Sequence, residues 1–188
     1  MARPKSDDRR SAIMAAATRV IATQGLSAPT AAIAKEAGVS NGSLFTYFET
    51  KADLLNALYL ELKSKMAAAA LDRVPPKSST RKQLLHMWMQ WLHWATTSPE
   101  KRRALSYLNV SDDITAESRQ KGHQIMSGVA KLMERSRENG PMRKAPLSFV
   151  VAMTNAMADT TIDFIIHDPA NADKHAATAF DALWRMVA

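Results

Sequence analysis

The 188-residue sequence contains no cysteine. That absence excludes disulfides, thiolate metal sites and cysteine nucleophiles together, and it fits a reducing compartment. Glycine is also scarce, with 6 in the chain. None of these builds a Gly-x-Ser-x-Gly elbow or a phosphate-cradling loop, and no His-Glu-x-x-His pair occurs, so the sequence argues against an enzyme. Alternating strand patterns are missing. No continuous apolar run approaches the twenty or so residues of a membrane helix, and residues 1–10 lack the apolar core of a secretory signal. These absences lead us to expect a cytoplasmic protein with no cofactor, no metal and no membrane partner.

Apolar residues instead recur at helical spacing almost throughout, which predicts an all-α fold of about nine helices. Lysine and arginine number 25 against 18 acidic residues, a formal charge of +7, so an anionic partner is in keeping with the balance. Glycine and proline punctuate the chain and predict helices over residues 8–24, 29–37, 40–48, 50–71, 80–97, 100–109, 113–138, 145–167 and 173–187. In the first, Ile13, Ala16, Ala17, Val20 and Ile21 form one apolar stripe, and Gly25 suits the position just past its end.

Two short helices joined by a tight turn, residues 30–37, then Gly38 and Val39, then residues 40–48, make a helix-turn-helix, whose second helix enters the DNA major groove. Ala34 and Ala37 let the helices approach, Gly38 tolerates the turn, and Val39 fills the wedge. Ser40 is placed to cap the second helix, with Leu44 and Phe48 as buried anchors. Asn41, Ser43, Thr46 and Tyr47 then face outward as short or polar groups suited to base edges and phosphates. Thr50-Lys51-Ala52-Asp53 opens the next helix as a capping box. Lys51 in that first turn can meet a phosphate with help from the helix dipole. Arg3, Lys5, Arg9 and Arg10 suit a basic arm of the kind that reaches a minor groove, although Asp7 and Asp8 dilute its charge and favour an ordinary solvated terminus.

The run Ile33-Ala34-Lys35-Glu36-Ala37-Gly38-Val39-Ser40-Asn41-Gly42-Ser43-Leu44-Phe45-Thr46-Tyr47-Phe48, followed by Lys51 and Leu54-Leu55, resembles the DNA-binding signature of the tetracycline-repressor (TetR) family over residues 11–58. The resemblance implies a homodimeric repressor that leaves its operator when a small molecule binds. It implies DNA contacts at Thr30, Ser40, Asn41, Gly42, Ser43, Phe45, Thr46, Tyr47 and Lys51. It also implies a DNA-binding domain over residues 1–50, a linking helix over 51–72 and a ligand-binding, dimerising domain over 73–188. Phe45 stands where the family commonly has tyrosine, and Ala31 and Ala32 where polar residues are common.

In the body, Trp88 and Trp91 share a helix face with Leu92 beside them. Together with Met126, Val129, Met133, Met153 and Met157 they can line an apolar cavity for a hydrophobic or aromatic inducer, or simply pack as core. His86 with His93, and Asp159 with Asp163 and His167, have spacings that permit metal ligation but serve equally well facing solvent. Val151, Met157, Thr161, Phe164, Ile165, Phe180, Leu183 and Trp184 supply two apolar stripes suited to a four-helix dimer interface, with intrachain core as the other reading. Control by a protein partner, or activation instead of repression, would keep the same head without a small-molecule inducer.

Overall fold

The computed structural model describes residues 5–188, and among these it holds helices and no strand. The helices are α1 (Lys5–Gln24), α2 (Thr30–Glu36), α3 (Asn41–Phe45), α4 (Lys51–Leu71), α5 (Thr80–Thr97), α6 (Pro99–Asn109), α7 (Ala116–Ile125), α8 (Ser127–Arg137), α9 (Leu147–His167) and α10 (Ala172–Val187), with a 3₁₀ turn at Pro169–Asn171. The described residues group into two compact units, one of residues 5–64 and 98–124, the other of residues 65–97 and 125–188. Residues 98–124 therefore cluster with the head, a grouping that the amphipathic pattern of α6 does not announce, because such a stripe shows that a face is buried and not against what.

In the first unit the predicted stripe of α1 is its core: Ile13, Ala16, Ala17, Val20 and Ile21 are all buried. α1 packs on α2 and on α6, whose Ala104, Leu105 and Leu108 face inward. Gly25 closes α1 at φ 75° and donates its N–H to the Ile21 carbonyl at 2.9 Å, a left-handed C-terminal cap. Helix α1 begins at Lys5 instead of residue 8, so Arg9 and Arg10 lie on a helix and not in an arm. Arg3 lies outside the described residues. Asn56 of α4 ties in the loop before α7, donating to the Asp113 carbonyl (2.8 Å) and accepting from the Thr115 N–H (3.0 Å).

The predicted helix over 113–138 is two helices. The first starts at Ala116 because the Thr115 hydroxyl caps the Ser118 N–H at 3.1 Å. The break falls at Met126 (φ −82°, ψ 3°), just before Ser127 and Gly128, residues that favour a helix interior poorly. Gly128 also admits Leu71, whose Cδ1 would lie 2.6 Å from a Cβ at that position.

The second unit packs α5 against α8, α9 and α10. Leu84, Met87, Trp88, Leu132, Val150, Ala158, Ile162, Phe180, Leu183 and Val187 form its core. The buried Trp88 indole donates to the Ala176 carbonyl at 3.1 Å, so its one polar atom is satisfied. Arg137, 6% exposed, pairs with Glu134 and donates to the carbonyls of Met142 and Ala145, stapling the loop between α8 and α9. Helix α9 is long and apolar enough to cross a membrane by length and composition, with a mean hydropathy of 1.3, although its sequence is interrupted by Asp159 and Asp163.

Candidate nucleic-acid interface

The turn between α2 and α3 follows from its residues. Gly38 takes φ 67°, which a side chain adopts at a cost, and the Val39 N–H returns to the Ala34 carbonyl at 3.0 Å. Pro29 sits just before α2 as its N-cap instead of in its first turn. Arg19 of α1 donates to Glu36 at 2.7 Å and fixes the far end of α2. The Ser40 hydroxyl accepts the Ser43 N–H at 3.0 Å, the cap expected from sequence.

These constraints fix which way α3 faces. Leu44 and Phe48 are buried at 0% and 4% exposure, while Asn41, Gly42, Phe45 and Thr46 are exposed and Ser43 and Tyr47 are half-buried. Regular α3 ends at Phe45, and a tightened turn carries Thr46 and Tyr47 through N–H bonds to Ser43 and Leu44. Thr46 also donates its hydroxyl to the Ser43 carbonyl at 2.7 Å, which orients the group. Thr30, at the start of α2, is half-buried. Thus Asn41, Gly42, Phe45 and Thr46 form an outward strip over a fixed apolar back.

Lys51 opens α4, where the capping box is complete: the Thr50 N–H and hydroxyl both donate to Asp53, and the Asp53 N–H donates to the Thr50 hydroxyl. Sequence reasoning missed the second partner of Lys51. Its ammonium donates to the Leu26 carbonyl at 2.6 Å, pinning the end of α1 to the start of α4. An ammonium has three donors, so two stay available for an anion. A contact across 25 residues leaves no mark in local sequence. Arg10 lies 5.1 Å from the Phe48 ring centre, adding a cation beside the same element.

The other predicted positions fall in the second unit and divide by exposure. Trp88, Leu92 and Met133 are buried, and Trp91, which meets Trp88 edge-on at 6.1 Å, is half-buried with Met126, Met153 and Met157. Phe180 and Leu183 lie inside the chain's own core, 1% and 0% exposed, and Thr161 is buried with its hydroxyl on the Met157 carbonyl. Val151, Ile165 and Trp184 are half-buried, and Phe164 is 58% exposed. Phe149 and Ile166 on α9 are equally open. An open groove of about 400 Å³ runs between α9 and α10, lined by Phe164, Thr160, Thr161, His175, Thr178 and Ala179 among others. Two of the noted histidines have backbone partners: His86 meets the Asp72 carbonyl and His167 the Asp163 carbonyl, each at 2.7 Å. Among the described residues no three potential ligands cluster for a metal.

Comparison with known proteins agrees with this geometry. Residues 13–58 match the family model described as bacterial regulatory proteins, tetR family. Over 123 residues the chain is 25% identical to the fatty acid metabolism regulator protein of Bacillus subtilis, covering 65% of this chain and 62% of that one. A tetR family transcription regulator from Shewanella shares the fold with a TM-score of 0.83 at 24% identity, over 94% of this chain and 96% of the other. The transcriptional regulator FadR of Bacillus subtilis, solved in complex with stearoyl-CoA, gives 0.69 at 19% identity, over 93% and 97%.

Proposed function

We propose that this chain, whose residues 13–58 match the tetR family of bacterial regulatory proteins, is a homodimeric, cytoplasmic repressor released from a DNA operator by a small hydrophobic or aromatic ligand. The family is one of transcription regulators and not of enzymes. The observation that carries the DNA reading is the orientation of α3: its apolar side is locked into the head while Asn41, Gly42, Phe45 and Thr46 face out. A helix presented in this way fits a major groove, with Thr30, Ser40, Ser43, Tyr47 and Lys51 at its margins. The base-reading positions are Asn41 and Thr46, and Phe45 supplies apolar contact with thymine methyls.

The dimer reading draws on α9, where Phe149, Phe164 and Ile166 are each at least half exposed and Phe164 lines an open groove. A two-fold pairing of α9 and α10 with a second copy covers all three. Val151, Met157, Ile165 and Trp184 flank that face. The domain plan is a head over residues 1–50, a linking helix over 51–72 and a ligand-binding, dimerising body over 73–188. The inducer reading draws on the tryptophan and methionine residues of the second unit and on the fatty-acid-related regulators among similar proteins. Helix α4 carries Lys51 at one end and continues to Leu71, so it links the two functions along the chain. A ligand that binds one dimer conformation better than the operator-bound one weakens DNA binding by that difference.

A mobility shift with the DNA flanking the protein's own gene, under excess competitor, tests the reading. A discrete shift whose sequence preference changes with Asn41→Ala or Thr46→Ala is the expected result. Binding that is insensitive to sequence in all three proteins would contradict it.

A further inference from the structure

Thr46 stands on the exposed strip at the end of α3, and the carbonyl behind it fixes the direction of its hydroxyl proton. Thr46 Oγ1 lies 2.7 Å from the Ser43 carbonyl oxygen. A carbonyl can only accept, so the proton of this hydrogen bond is the hydroxyl's own. The contact follows from the way the helix stops. In a continuing helix the Ser43 carbonyl would take the Tyr47 N–H, four residues on. Here the Tyr47 N–H goes to the Leu44 carbonyl at 3.0 Å, and the Ser43 carbonyl keeps only a longer backbone bond, 3.2 Å, from the Thr46 N–H. The hydroxyl completes it. Thr46 itself stays in the right-handed helical region (φ −76°, ψ −17°), where a threonine hydroxyl reaches the carbonyl three or four residues back.

A hydroxyl has one proton and two lone pairs. With the proton turned back to Ser43, Thr46 has only acceptor capacity left for a partner. Phosphate oxygens are acceptors too, as are N7 and O6 of guanine, N7 of adenine and O4 of thymine. The donors in the major groove are the amino groups at adenine N6 and cytosine N4. We propose that Thr46 is a specificity-determining acceptor that reads such an amino group on a base edge, and that it binds neither phosphate nor a carbonyl edge. The inference rests on the DNA-binding reading above and gives one position of the strip a hydrogen-bond sign. Asn41, on the same strip, carries donors and an acceptor on one amide, so its residue type imposes no sign. To donate outward, Thr46 has to release the Ser43 carbonyl, and a DNA surface pressed on the strip leaves less water to replace that bond.

The test uses the full chain and its Thr46→Val and Thr46→Ser variants, with the duplex that wild type selects from a random library as the probe. Thr46 is exposed, so both variants are expected to fold, and thermal melts check this. Valine keeps the branched shape without the hydroxyl, and serine keeps the hydroxyl without the methyl. Each adenine of the selected half-site is replaced in turn by purine, which lacks the 6-amino group, and each cytosine by 2-pyrimidinone, which lacks the 4-amino group. At one position wild type and Thr46→Ser are expected to lose about tenfold in affinity, while Thr46→Val binds both duplexes alike. Comparing proteins on the same duplexes cancels the weaker base pair. The base at that position identifies which amino group is read. A Thr46→Val protein weakened equally on every duplex would mark a phosphate contact and overturn the proposal. So would a wild type that tolerates the loss of every amino group, amino-group losses that are the same in wild type and Thr46→Val throughout, or a Thr46-dependent loss seen only when guanine is replaced by 7-deazaguanine. A wild-type protein that selects no common sequence would overturn the reading of the head instead.

Discussion

Lys51 has a structural partner beside the recognition role proposed for it. Its bond to the Leu26 carbonyl joins the end of α1 to the start of α4 and uses one of the three donors of an ammonium at a helix N-terminus. Lys51→Ala is therefore expected to lower affinity for all duplexes alike and to reduce the slope of log affinity against log salt by about 0.9, the share of one phosphate contact. It should also cost roughly 1 kcal/mol of stability, because a partly exposed charged hydrogen bond is lost. Titrations at several salt concentrations, together with thermal melts, check both effects. A loss of affinity confined to one sequence would mean that Lys51 reads bases. A second residue-level expectation concerns Asp168, whose carboxyl is held below the usual carboxylate pKa by hydrogen bonds from His175 and Asn171. A lowered folded-state value adds stability above the unfolded pKa, and that stability is lost as pH falls through the folded one. Asp168→Asn should thus flatten the decline of Tm on the acid side below about pH 4.

Single turns and loops decide the elements. Gly140 lies where a Cβ would meet the Val187 carbonyl, so the end of α10 rests directly on the loop after α8. The obstacle is backbone, which cannot rotate away, and Gly140→Ala is expected to destabilise the protein by about 2 kcal/mol or more. Urea unfolding measures this, and an unchanged midpoint would show that the contact is not tight. At this scale much of the head was legible in the sequence. Gly25, Gly38, Ser40 and the Thr50–Asp53 box act through neighbours a few residues away, and each occupies the cap or turn read for it. The break at Met126 was not legible, because Ser127 and Gly128 weaken a helix without forbidding it, and Leu71 comes from a distant segment. Phe180 and Phe164 looked equivalent on their apolar stripes, yet one is core and the other surface, since periodicity identifies a buried face but not its partner.

At the scale of the whole molecule, an excess of positive charge, +7 in all, favours encounter with DNA but does not select a sequence. In the proposed dimer, selection would come from presenting α3 twice, at a spacing set by dimerisation. Phe164 is 58% exposed beside the groove between α9 and α10, so Phe164→Glu is expected to convert a dimer to monomer and to weaken operator binding by about a hundredfold or more, as loss of the second half-site should. Sedimentation and mobility shift together check it, and a variant that stays dimeric would move the interface elsewhere. The most direct test of the central claim is selection from a random duplex library at near-physiological salt. The account predicts enrichment of a two-fold symmetric motif with half-sites about 10 base pairs, or a multiple of that, apart, lost when Asn41 and Thr46 are both alanine. Recovery of no common sequence by the wild-type protein would contradict it.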